Sequence, residues 1–509
     1  MANNRYDVIV VGAGSAGAAL ATRLSEDASR SILLIEAGHD YANIDELPDE
    51  IRQGHATGTD MTIDPEGEHN WAFTAQATPL NTDMDVPRGK ITGGTSAING
   101  QVYLRAIPED FDSWVAEGHD EWSYDKVLPF MKKLENDLDI TDQYHGNDGP
   151  IVVRRYQPDE LVDDQAAFIK AVTAAGFSRT EDHNHPASSG VGPLPLNNPD
   201  GIRWSTALGY LSMARDRSNF TISADSHTTR VLIEDKRAVG IEYEKDDKLH
   251  QAFAEEVVLS AGPIGSPHLL MLSGVGPKEQ LEAVGIDVVA DMQGVGQNLR
   301  DHPSVHVRWR AEDDFPMPDV EVGPQKVALR YTARGSELRN DMVTVMRWSS
   351  PNREFLMSAG IYLAKAAGEL RLVSADSHQQ PQMDYHLLDH PYDLSRMRDA
   401  VRMHIEFGKH PAYNGILKEI IDPLPQHLES DETLDQWLLS RASTMHHISC
   451  TARMGAADDP MAVVNQYGQV HGIDGLRIVD LSIMPDCPRA NTNSPAMTIG
   501  ERVAEFMTR

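Results

Sequence analysis

The stretch "YDVIVVGAGSAGAALATRLSED", residues 6–27, constrains the fold more than any other part of the chain. Residues 6–11 form a nearly unbroken apolar run, which reads as a strand buried on both faces in a parallel sheet. The run passes into Gly12-Ala13-Gly14-Ser15-Ala16-Gly17 and then into an Ala-rich amphipathic helix. A second apolar strand, "SILLIEAG", ends at Glu36. Each glycine has a physical task here. Gly12 permits a tight turn, Gly14 lets backbone approach a pyrophosphate, and Gly17 lets helix and strand pack closely. The helix start then turns its unsatisfied N–H groups toward the phosphates. Glu36 follows Gly17 by 19 residues, where a carboxylate accepts from ribose hydroxyls. An acid would repel a 2′-phosphate, so FAD or NAD remain. The expected class is α/β with a Rossmann-like domain.

At 509 residues the chain is too long for one ordinary core, which points to two or three domains. It carries 77 Asp plus Glu against 45 Lys plus Arg, a net charge of −32. That charge repels phosphate backbones and anionic membrane surfaces, so neither nucleic acid nor membrane is an expected partner. Cys450 and Cys487 are the only cysteines, and no metal-type spacing surrounds them. The opening residues carry no basic leader, and "VIVVGAGSAGAALA" is too short and Gly-rich to span a bilayer. A cytoplasmic location is the expectation.

Further along, "VPRGKITGGTSAINGQVYLRAIPEDFDSW", residues 86–114, is dense in small residues around Asn99. Gly93 and Gly94 mark a place where backbone passes close to something flat or charged. Here the chain resembles the glucose–methanol–choline (GMC) oxidoreductases, flavoproteins that oxidise alcohols. The resemblance returns in "SAGPIGSPHLLMLSGVGP" (260–277), "GVGQNLRDHP" (294–303), "AGELRLVSADSHQQPQMDYHLLDHPYD" (367–393) and "GIDGLRIVDLSIMPDCPRANTNSPAMTIGERVAEFM" (472–507). It implies FAD as cofactor. Gly12, Gly14, Ser15, Ala16, Gly17, Glu36 and Ala37 would hold the ADP half. Arg88, Gly93, Gly94, Asn99, Gly100 and Val102 would line flavin and pyrophosphate, with Trp71 nearby. Val231 would place its backbone on adenine. Ala261, Asp480, Asn491 and Thr492 would approach from the later motifs. Ile98 stands where some members carry the histidine that links FAD covalently, so non-covalent FAD is expected.

Alcohol oxidation by a flavin needs a base beside N5 that accepts the hydroxyl proton as hydride leaves, and histidine titrates in the right range. The family frame H-x-x-[GC]-T-x-x-M-G fits residues 447–455 of "STMHHISCTARMG". The resemblance therefore makes His447 the base. His446 is expected to point the other way, since neighbours in regular structure face opposite sides. Cys450 reads as a small buried residue. In "PRANTNSP", Asn491 takes the second catalytic place; its amide orients the substrate oxygen but cannot take a proton. Asn493 is expected to hold the turn.

The resemblance also implies two interleaved domains: an FAD domain of residues 1–155, 205–300 and 446–509, and a substrate domain of 156–204 and 301–445. The second would be an antiparallel sheet with helices on one face and the flavin under the other. "SVHVRWR" and "MVTVMRW" alternate so that His306, Arg308 and Arg310 share one strand face and Val343, Val345 and Arg347 another. If that side looks into the cavity, His306, Arg308 and Arg347 meet the substrate. A polar or anionic alcohol, such as a sugar, a glycoside or a small primary alcohol, then suits it best. The competing reading pairs these arginines with surface acids. Dioxygen or another acceptor would reoxidise the flavin. A lyase or photochemical use of the same scaffold, and a flavin-carrying binding protein, are the alternatives.

Overall fold

The computed structural model describes residues 4–54, 62–318, 323, 325–349 and 352–509. The strand Arg5–Val11 lies between Lys248–Leu259 and Ile32–Ile35, parallel to both. Phe220–Ser223 continues the sheet beyond Ile32–Ile35, and Leu476–Ile478 pairs in parallel with the end of Lys248–Leu259. Arg237–Lys245 and His227–Glu234 extend the other side in antiparallel fashion, completing seven strands. Val8 to Val11 and all of Ile32–Ile35 are buried, as parallel strands covered on both faces must be.

The closing helix Asn493–Thr508 packs on the first helix, Ser15–Leu24. A Cβ on Gly500 would stand 2.4 Å from the Ala16 carbonyl oxygen, so only glycine allows this approach. The contact fixes the end of the chain against its beginning and sets residues 491–493 beside the Gly12–Gly17 turn.

A second sheet of seven strands is antiparallel throughout, in the order Leu417–Asp422, Pro303–Ala311, Glu354–Ile361, Met342–Ser349, Val327–Tyr331 and Gly190–Pro193, with Ser443–Thr444 on Pro303–Ala311. The helices Asp163–Ala174, Pro391–Gly408 and Asp431–Arg441 cover one face. Val305, Val307 and Trp309 are buried on that side, and a Cβ on Gly408 would come within 2.9 Å of the Trp309 ring. Thr344 reaches His404 of the long helix at 2.8 Å. The opposite face, carrying Ser304, His306, Val345, Arg347 and Ser358, lines a cavity between the sheets. All strands of the first sheet lie within 1–155, 205–300 and 446–509, and all strands of the second within 156–204 and 301–445. Among the described residues, no helix is long and apolar enough to cross a membrane.

Candidate active site

A cavity of about 630 Å³ runs from the Gly12–Gly17 turn to the second sheet. At one end the backbone itself forms the wall. Gly12 adopts φ +99° and Gly94 φ +52°, conformations that disfavour side chains. A Cβ on Gly94 would come 2.7 Å from the Gly14 Cα, so the two glycine-rich turns touch. The helix Ser15–Leu24 starts at Gly14 with no side-chain cap, leaving its first N–H groups for a ligand. Glu36 is buried at the end of its strand and accepts from the Ala13 N–H at 2.9 Å and the Gly38 N–H at 3.0 Å. Burial pushes its carboxyl up to about 7, against those two bonds. Asp480 accepts from Gly262 N–H and Ser266 Oγ, which fixes the next helix start on the cavity wall.

At the other end stands His447, nearly enclosed. Its N–H donates to Asp301 Oδ1 at 3.0 Å, and the same carboxylate accepts from the His302 N–H at 2.6 Å and Thr444 Oγ1 at 2.5 Å. Burial raises the Asp301 carboxyl to about 6. The His447 ring meets His302 through Nδ1 to Nδ1 at 2.9 Å, so its Nε2 is the nitrogen left for the cavity. Desolvation first, then His302, His446 and Arg88, hold the His447 ring well below the ordinary histidine value. The ring is therefore held in its neutral form, with a lone pair on one nitrogen. Asn491 lines the same cavity.

The GMC oxidoreductase family description matches residues 6–304 with its N-terminal part and 364–500 with its C-terminal part. The chain belongs to the GMC oxidoreductase family. The oxygen-dependent choline dehydrogenase of Photobacterium profundum is 35% identical to it, over 99% of this chain and 93% of the relative. The mitochondrial choline dehydrogenase of Mus musculus is 33% identical, over 99% and 89%. Among solved structures, pyridoxine 4-oxidase from Mesorbium loti superposes with a TM-score of 0.91 at 28% identity, covering 99% of both chains.

This GMC oxidoreductase is thus an FAD-dependent enzyme of alcohol oxidation. Its residues fit the cofactor: the glycine cradle that any Cβ would fill and the uncapped helix start suit a pyrophosphate. Of the residues expected from sequence, Gly12, Gly14, Ser15, Ala16, Glu36, Ala37, Trp71, Arg88, Gly94, Asn99, Gly100, Val102, Ala261, Asp480, Asn491 and Thr492 all line the cavity, as do His306 and Arg347. Several expectations differ. Gly17 and Gly93 stand behind the wall, Gly17 in the close packing expected of it. A Cβ on Gly17 would be 2.0 Å from the Gly12 oxygen, and the Gly93 N–H donates to Ala13 O at 2.8 Å. Val231 is also off the wall, because its N–H is taken by Ser273 Oγ at 2.8 Å; Thr228, earlier on the strand, lines the cavity instead. Arg308 turns to Glu354 at 2.5 Å and Arg310 to Glu419 at 3.0 Å, outside the cavity.

His446 differs too, since it faces the cavity together with His447. Its φ of +65° breaks the alternation that would have turned it away. Its carbonyl accepts from Arg88 Nη1 at 2.9 Å, and desolvation lowers its ring to about 3. Asn493 starts the closing helix and accepts from Ser15 Oγ at 2.7 Å. Cys450 is fully buried. Asp301, His302 and Cys487 gather around His447 although sequence gave them no role; the signal available was the Asp-His-Pro at residues 301–303, inside a stretch that already resembled the family.

Proposed function

We propose that this enzyme oxidises the CH–OH group of a polar small molecule, with His447 as the base that takes the hydroxyl proton. The observation that carries the reading is the His447 ring, clamped at Nδ1 and at its backbone N–H, with Nε2 on the cavity. Asn491 on the same wall offers an amide to orient the substrate oxygen but no basic atom. FAD, when bound, supplies the hydride acceptor. Ile98 on the wall has no nucleophile, which favours a non-covalent cofactor.

The roof argues for polarity. Ser304, His306, Arg347 and Ser358 project from the sheet, with His306 Nδ1 and Ser358 Oγ 2.8 Å apart. Among the described residues, this sheet face brings no carboxylate and no Trp, Tyr or Phe ring to the cavity. An aromatic face is a common partner of a quaternary ammonium group, and a carboxylate attracts its charge. Trp71 stacks on Phe73 and lies beside His227, which precedes Thr228. The roof thus favours a neutral or anionic alcohol over the choline named for the relatives.

The test is the visible flavin spectrum of the purified holoenzyme under anaerobic conditions, titrated with sugars, glycosides, small primary alcohols and choline. Bleaching by a neutral or anionic alcohol and not by choline is expected. His447→Ala should keep FAD and slow that bleaching about 10²–10⁴-fold; reduction at the wild-type rate would remove His447 from the role. A flavin band that no alcohol bleaches would move the assignment to the lyase or photochemical use of the scaffold.

A further inference from the structure

We propose that His302 is a positioning residue that sets the tautomer of His447: its Nδ1 accepts the His447 Nδ1–H, which leaves His447 Nε2 unprotonated toward the cavity. The inference rests on the reading of His447 as base. Two neutral rings meet Nδ1 to Nδ1 at 2.9 Å, so a single proton lies between them. Which ring owns it is decided by what surrounds the other side of His302.

Burial, with backbone acceptors working against it, lowers His302 to about 3, so the ring carries one proton only. Its Nε2 lies 3.1 Å from Cys487 Sγ. Burial pushes that thiol well up, so it stays protonated. Its Sγ also lies 3.6 Å from the His447 carbonyl oxygen, an atom that can only accept; with the S–H given to that oxygen, the sulfur lone pairs are left for His302. The sulfur, 3.1 Å from the ring, thus holds the single His302 proton on Nε2. Nδ1 is then a bare lone pair, and the shared proton belongs to His447.

The consequence is chemical. With its proton on Nδ1, His447 offers a lone pair at Nε2. The opposite tautomer would present an N–H there and could not accept from a hydroxyl. In the step, the substrate O–H bond breaks, an Nε2–H bond forms, and the electron pair remains on oxygen. The resulting imidazolium keeps its Nδ1–H on His302. Around the pair stand Asp301, which accepts the N–H of both residues, Thr444, Cys487, His446 and Arg88.

The direct test is a two-bond ¹H–¹⁵N correlation on oxidised holoenzyme labelled with ¹⁵N-histidine, the His447 signals being those that His447→Gln removes. A protonated-type shift at Nδ1 and an unprotonated-type shift at Nε2 are expected. The reverse pattern, or averaged shifts, would overturn the proposal even if His447→Ala abolishes flavin reduction, so the two readings fail separately. Kinetics give a second arm. His302→Phe removes the acceptor, so reduction should slow 10- to 10³-fold with little change in KM. His302→Asp offers a carboxylate oxygen near the place of Nδ1 and should move the acid limb of the pH profile higher. A merely structural role would slow both variants and leave that limb in place. Asp301 titrates in both variants, so a displacement confined to His302→Asp does not come from it.

Discussion

Gly94 shows how little room the dinucleotide turn leaves. At φ +52°, with the Gly14 Cα 2.7 Å from where its Cβ would be, alanine would bring left-handed strain of about 1–2 kcal/mol and a backbone clash. Gly94→Ala should therefore lower flavin occupancy several-fold, read as the visible-to-280 nm absorbance ratio after gel filtration. Undiminished occupancy would mean that the two turns separate easily. At this scale the sequence was legible where chemistry is local. Gly12, Gly14, Glu36, His447 and Asn491 each sit in a short motif whose spacing carries the function. It was illegible where partners are distant. His302 meets His447 across 145 residues, and no periodicity connects them. His446 was misplaced for a different reason: a single backbone angle of +65° cancels the alternation rule.

Elements were read more safely than their ends. Period-two alternation placed His306 and Arg347 on the cavity face of the second sheet, because helices cover the other face and Val305, Val307 and Trp309 are buried there. The same alternation left Arg308 between the substrate and a surface acid, and the acid holds it, because Pro303–Ala311 continues past the cavity to where Glu354 stands. Face is set by the pleat, but depth along a strand is set by the rest of the fold. The two arginines should therefore separate in kinetics. Arg308→Ala should leave KM unchanged and cost no more than about 1 kcal/mol, since its ion pair is partly exposed. Arg347→Ala should raise KM for a polar alcohol about tenfold or more. Equal effects on KM would mean that the sheet face does not select the substrate.

At the scale of the whole molecule, interleaving makes burial rather than local propensity the source of pH sensitivity. Segments distant in sequence close over histidines that meet no water. His404 in the long helix is fully buried behind the second sheet, bonded to Thr344, and desolvation lowers it to about 3. An unfolded histidine titrates near 6.5. Between about 6.5 and 3 the unfolded chain therefore binds a proton at this position that the folded chain does not. Stability from this group is complete above 6.5 and is lost as pH falls, by up to about 1.4 kcal/mol per pH unit. Buried carboxyls such as Asp164, raised by burial to about 7, act in the opposite sense, so the pH dependence of the wild type alone mixes both. His404→Phe isolates the one proton. Phenylalanine fills a similar volume without titrating, and packing changes should displace its whole Tm-against-pH curve by a constant. Between pH 7 and 5 the variant should lose less Tm than the wild type on acidification, measured at equal FAD saturation. Two parallel curves would show that His404 takes up its proton in the folded state as readily as in the unfolded one, and the burial argument would fail for this residue.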